Sequence, residues 1–174
     1  MAVLNDGNLL DALETGALVI RPLAQDALQP SSLDLRLGAE LLIATPDGFR
    51  SHHLVNDGPL RLRQHAFVLG CTLEWIEIAP HLVGVLAGKS SRAREGIQVE
   101  SAGLIDAGWK GRLTLEIVML SPIPTHLTWA MGIGQLYIHT LETTAVRPYG
   151  TYGIGRYQNS DGPVESLVAP GKLL

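Results

Sequence analysis

The chain has 174 residues, of which 46% are hydrophobic and 17% charged, the size and composition of one packed domain rather than two domains or a disordered segment. Thirteen Lys and Arg against 17 Asp and Glu leave a net charge of −4, which argues against a duplex nucleic-acid binder that works by neutralising phosphates. The single cysteine, Cys71, excludes an internal disulfide framework and any zinc site built on two thiolates.

The first ten residues carry Asp6 and lack both a basic start and a long apolar run, so they read as neither a signal peptide nor a membrane anchor. The expectation is a cytoplasmic protein with no membrane partner and a reduced, buried Cys71. Asp6 is predicted to cap a short helix with Leu9, Leu10 and Leu13 on one face, and Gly16 to end it in a left-handed conformation. Leu33, Leu35 and Leu37 then alternate with Asp34 and Arg36, the pattern of a half-buried strand. Further strands are predicted at 39–44, 66–78, 82–87, 112–120 and 135–141. Turn signals separate them: Pro46-Asp47-Gly48, Asn56-Asp57-Gly58-Pro59, Pro80, Ala107-Gly108, and Pro122 with Pro124. The fold class is therefore all-β with a short N-terminal helix, a sandwich, jelly roll or barrel formed as a single domain over 1–174. From about 147 to 174 glycines and tyrosines replace the strand pattern, and this segment reads as a flexible C-terminal tail.

Three polar clusters carry candidate chemistry. In Gly88-Lys89-Ser90-Ser91-Arg92-Ala93-Arg94, a glycine, two hydroxyls and three cations follow an apolar strand. Such a group can cradle a polyphosphate through backbone N–H groups, hydroxyls and positive charge, or can be a solvated turn. It is not a P-loop, since position 83 is Val rather than the required glycine. In the second cluster, Ala102 to Glu116, Asp106 stands between the apolar pair Leu104-Ile105 and a turn, where its carboxylate can point into a cleft. Glu116 lies inside an apolar strand on the face of Thr114 and Arg112. That face is either solvated or, if buried, raises the carboxylate toward a pKa suited to proton transfer near neutral pH. The third cluster is the tail from Pro148 to Gln158, with Tyr149, Tyr152, Arg156 and Tyr157 among glycines. It can fold over a ligand or fray. His52 and His53 fall in an expected loop, and no histidine has the spacing of a metal site. The zinc-deaminase pattern and the Gly-x-Ser-x-Gly elbow are both absent.

Taken in order, these clusters resemble the trimeric dCTP deaminase and dUTPase superfamily. The matching stretches are Gln29-Pro30-Ser31-Ser32-Leu33-Asp34-Leu35-Arg36-Leu37, Gly88 to Arg94, Ala102 to Glu116, Gly134-Gln135-Leu136 and Tyr149 to Gln158. The resemblance implies a distorted jelly-roll, dUTPase-like fold and a homotrimer with active sites shared between subunits. The implied ligands are dCTP and dUTP, with magnesium held through the substrate phosphates and no zinc. Glu116 matches the glutamate that deaminases use as general acid and base toward C4 of cytosine. Ser90 and Arg94 match the residues that position the attacking water. Asp106 matches the acid of the sugar site, which in the diphosphatase branch also orients water toward the α-phosphate. Lys89, Ser90, Ser91, Tyr149 and Arg156 match phosphate contacts, and Gln135 is similar to the glutamine of the substrate site. Lys89 stands where the family usually carries arginine, and Arg92 where it carries leucine.

Because a diphosphatase has no need of a carboxylate at Glu116, the resemblance implies dCTP deaminase activity in pyrimidine deoxynucleotide metabolism, with hydrolysis on to dUMP as a second step. The alternatives are a dUTP diphosphatase without deaminase activity and a non-catalytic nucleotide-binding regulatory trimer.

Overall fold

A computed structural model of the chain describes residues 2–100 and 103–167. Ala102, the first residue of the second cluster, and 168–174 of the tail lie outside the described residues. Among those described, the chain forms helix α1 (Asp6–Glu14) and strands β1 (Leu18–Arg21), β2 (Leu28–Gln29), β3 (Ser32–Arg36), β4 (Glu40–Thr45), β5 (Gly48–His53), β6 (Leu60–Leu62), β7 (Phe67–Cys71), β8 (Trp75–Ile78) and β9 (Leu82–Gly88). Helix α2 (Ser90–Arg94) follows, then β10 (Ile97–Glu100), β11 (Leu104–Ile105), β12 (Lys110–Gly111), β13 (Thr114–Met119), β14 (Thr125–Leu127) and β15 (Gly132–Thr140). No helix is long and apolar enough to cross a membrane.

The strands pair antiparallel in two five-stranded sheets, in the orders β10-β13-β7-β4-β5 and β11-β9-β15-β3-β2. A three-stranded sheet, β1-β8-β12, and the two-stranded ribbon β14-β6 complete the framework. One apolar core joins them. Alternation decides which residues enter it: Leu33 and Leu35 of β3, Leu115, Ile117 and Met119 of β13, and Leu136 and Ile138 of β15 are all fully buried. The mainly-β class with one N-terminal helix is as expected from the sequence.

Several local expectations are corrected. The helix cap is Asn5, whose side chain accepts from the Asn8 backbone N–H at 2.9 Å, while Asp6 is the first helical residue. Either side chain can serve, but only Asn5 stands three residues before a free N–H of this helix. Leu9 and Ala12 are buried and Leu10 is exposed, because Leu10 lies about 100° around the helix from Leu9. Gly16 does adopt the left-handed conformation, at φ +73°. The expected strand 66–78 is two strands, β7 and β8, in different sheets. Between them the Thr72 hydroxyl accepts from Leu113 N–H at 3.0 Å and donates to the Glu74 carbonyl at 2.8 Å, turning the chain from one sheet into the other. His52 and His53 belong to β5 rather than a loop. That strand is an exposed edge without apolar alternation, so nothing in its pattern announces it. In the Gly88–Arg94 cluster, Ser90 to Arg94 form the short helix α2 rather than a turn.

An ion pair between the buried Glu74 and the part-buried Arg36 holds the crossing point. Glu74 is 1% exposed, and its carboxylate accepts from Arg36 Nε at 2.7 Å and from Arg36 N–H at 3.0 Å. The same guanidinium donates to the Pro22 carbonyl at 2.9 Å. Nearby, burial pushes the Cys71 thiol up to about 11, so it stays protonated and packs as a small apolar group. Replacing one member of a buried ion pair strands the other. Glu74→Ala is expected to lower the unfolding free energy by about 3 kcal/mol, measured by urea denaturation at fixed protein concentration.

Candidate active site

A cavity of about 610 Å³ lies against the face of β13 and β7 that carries Glu116 and Leu69, with Leu86 of β9 and Ile105 of β11 also in its lining. Burial of Leu115 and Ile117 turns Thr114 and Glu116 to that face, and both line the cavity. Glu116 is half-buried and stands directly across from Leu69 of β7. Phe67, Leu86 and Leu113 make its surroundings largely apolar. Asp106 lines the same cavity at an exposed position just after β11. Two carboxylates thus face one apolar cleft of a volume suited to a small organic ligand.

The tail closes one side. Tyr149, Tyr157, Val164 and Ser166 all line the cavity, and the chain reaches them by pairing along residues 107 to 114. Tyr149 N–H donates to the Ala107 carbonyl at 2.8 Å, Asn159 N–H to Lys110 at 2.8 Å, and Val164 N–H to the Thr114 hydroxyl at 3.2 Å. Arg112 N–H donates to the Ser160 carbonyl at 2.8 Å, and the Arg112 guanidinium bonds Asp161 at 2.8 Å. The Gln158 amide spans the turn, donating to Gly108 at 2.9 Å and accepting from Lys110 N–H at 3.1 Å. The Trp109 and Tyr149 rings meet with centroids 5.4 Å apart. Two glycines make this approach possible. A Cβ on Gly108, at φ +91°, would fall 2.7 Å from Pro148 Cβ, and one on Gly111, at φ +144°, would fall 3.0 Å from the Ser160 carbonyl oxygen.

The remaining predicted site residues stand elsewhere. Ser90, Ser91 and Arg94 are exposed on α2, and none lines the cavity. Arg92 bonds Glu95 at 2.7 Å, which gives this unusual arginine a local partner. Lys89 and Gln135 converge on Asp34 of β3, and none of the three lines the cavity. Arg156 is exposed on the tail. Trp109 and Tyr157 line the cavity, Gln158 bonds the Gly108 turn and Asp34 bonds Lys89 and Gln135, contacts to which the sequence reading gave no individual role. The available signal was only a polar residue within an apolar strand for Asp34, and aromatic and amide side chains among glycines for the rest. Among the described residues no group of three or more His, Cys, Asp or Glu side chains is placed to hold a metal ion.

A family model described as dCTP deaminase-like matches residues 3–141. The chain belongs to the dCTP deaminase-like family. Within the family, it is 40% identical over 187 aligned positions to a protein of Methanopyrus kandleri named "dCTP deaminase, dUMP-forming", covering 97% of this chain and 96% of that one. It is 36% identical to a "dCTP deaminase" of Halorubrum lacusprofundi, over 95% of this chain and 91% of that one. In structure it is similar to the 2'-deoxycytidine 5'-triphosphate deaminase of Agrobacterium tumefaciens, with a TM-score of 0.68 and 21% identity over 80% of this chain. The chain spans about half the length of that protein, 48%, and the likeness is one of fold. The family match contains Lys89 through Gln135, whereas Tyr149 and Arg156 lie beyond it, in the part of the tail that walls the cavity.

The close approach at Gly108 generates a test. Gly108→Ala puts a Cβ against Pro148 and imposes a left-handed backbone on a residue that resists it, costing about 1–2 kcal/mol. Trypsin is expected to cut at Arg156 about tenfold faster in that variant than in the parent, followed by mass spectrometry under native conditions.

Proposed function

We propose that this chain is a dCTP deaminase that carries its product on to dUMP. The observation that carries the reading is the pairing of Glu116, on an apolar cavity wall, with Asp106 in the same cleft. In the deamination step Glu116 accepts a proton from water as the water oxygen bonds to C4 of cytosine. The carboxyl group passes that proton to N3, then takes the proton of the new C4 hydroxyl and passes it to the exocyclic amine. The C4–N4 bond breaks, ammonia leaves, and the keto group of dUTP remains. In the second step Asp106 orients a water toward the α-phosphate, the bond to the β-phosphate breaks, and dUMP and diphosphate leave. Magnesium enters as part of the substrate, offsetting phosphate charge. The near-full-length relatives named for dCTP deamination, one of them dUMP-forming, support both steps.

Lys89, Ser90, Ser91 and Arg94 are assigned to the phosphates and the attacking water, joined by Gln135, Tyr149 and Arg156. We assign the first four to the site of a neighbouring copy in a homotrimer. Asp106 stands beside the Val83 end of β9, since Ile105 pairs with Gly84, and Lys89 follows its other end. Six residues of strand separate the two by about 20 Å. The exposed placement of Ser90, Ser91 and Arg94 also suits delivery to another subunit.

With dCTP and magnesium, chromatography is expected to show dUMP, diphosphate and ammonia. dUTP alone is expected to give dUMP. Glu116→Gln should abolish release of ammonia from dCTP while sparing hydrolysis of dUTP; surviving deamination would overturn the role of Glu116, and hydrolysis of dUTP by the parent without any deamination would make it a diphosphatase. Glu116→Gln and Ser90→Ala are each expected to be inactive on dCTP. Unfolded and refolded together in equal amounts, they should recover about a quarter of the parent activity, the share of sites receiving both intact halves. Sites formed within one chain would stay inactive in the mixture.

A further inference from the structure

We propose that Asp34 sets the affinity of this chain for phosphate by occupying, in the unliganded protein, the donors that a triphosphate would claim. The proposal rests on the reading of Lys89 and Gln135 as substrate-binding residues and adds a competing group inside the protein. Three parts of the fold meet at this carboxylate. Asp34 is on β3, Gln135 lies directly opposite it on β15, and Lys89 follows the end of β9. One Asp34 oxygen accepts from the Gln135 amide at 3.2 Å, and the other from the Lys89 ammonium. The Asp34 side chain is 19% exposed and that of Lys89 28%, so neither partner is wholly exchanged for water. Gly132 leaves a lane for the lysine stem: a Cβ there would lie 3.4 Å from Lys89 Cδ and 3.7 Å from Nζ.

A carboxylate and a phosphate oxygen ask the same of an ammonium group, a charge-assisted hydrogen bond. An ammonium already paired offers an incoming anion less net attraction, because the adjacent carboxylate repels that anion while the lysine attracts it. Lysine tolerates such an exchange better than arginine would. Its compact head has three rotatable donors on a flexible stem, whereas a guanidinium fork engaged with a carboxylate must break two bonds together. Asp34 therefore lies outside the reacting atoms and acts through Lys89.

The test is binding of inorganic pyrophosphate to the full chain by calorimetry, with EDTA present so that no divalent metal bridges the anions. Asp34→Asn keeps an acceptor for Gln135 and removes the charge facing Lys89; Asp34→Ala removes both. Each is expected to bind pyrophosphate about fivefold more tightly than the parent. Lys89→Met is expected to bind it weakly, and Asp34→Asn combined with Lys89→Met no more tightly than Lys89→Met alone. A merely structural Asp34 would not make its effect depend on Lys89. Unchanged or weaker binding by both Asp34 variants, with weak binding by Lys89→Met, overturns the competition and leaves Lys89 as a phosphate ligand. Parent-like binding by Lys89→Met overturns both. Should the Asp34 variants fail to fold, the parent protein decides: the carboxylate carbon resonance of Asp34 is expected to move as pyrophosphate is added, and an unmoved resonance at saturation overturns the exchange.

Discussion

The side chains of β13 can face only two ways. Leu115, Ile117 and Met119 are fully buried in the common core, and the pleat then sends Thr114, Glu116 and Val118 to the opposite face. A slip of one residue would bury Glu116 and expose three large apolar groups, so the register is held by far more hydrophobic free energy than any polar contact at the site provides. The orientation of Glu116 is thus a consequence of core packing. Its cavity exists because the neighbouring strand β7 presents Phe67 and Leu69 on the same face, and the tail then covers one side.

That covering depends on backbone fit as much as on side chains. The turn from Asp106 to Gly111 accepts the tail because Gly108 and Gly111 carry no Cβ where Pro148 and Ser160 come closest. Hydrogen bonds from Ala107 to Thr114 then pair with the segment from Tyr149 to Val164. Asp106 begins the same turn, so the element that holds the tail also holds one of the two carboxylates. The positions of the tail and of Asp106 are therefore set by the same stretch of chain.

A different division separates the cationic residues from the cavity. Strand β9 carries the β11 pairing near one end and leads into Lys89 and α2 at the other. Asp34 draws Lys89 and Gln135 together at that far end. One chain therefore holds two polar clusters, one with two carboxylates at an apolar cleft and one with Lys89 and Gln135 around Asp34. The crossing from β7 to β8, secured by Glu74 and Arg36, keeps the sheets that carry them in fixed relation.

Much of this was legible in the residues. The alternation of Leu33 and Leu35, the apolar runs of β9, β13 and β15 and the turn signals located most of the strands, because burial of one face imposes a period of two. The exposed edge β5 and the break at Thr72 were not legible, since the first buries nothing and the second depends on partners 36 to 41 residues away in sequence, Arg36 and Leu113 among them. The sequence by itself determined the all-β class and the family, and it singled out the two carboxylates as candidates, all from local pattern and motif chemistry. Only the tertiary structure decided that Glu116 and Asp106 share a cleft while Lys89 turns to Asp34, and that the tail from Tyr149 to Val164 packs along Ala107 to Thr114. These are contacts between segments far apart in the chain, and their geometry is set by sheet register and close backbone approach, neither of which any single stretch of sequence contains.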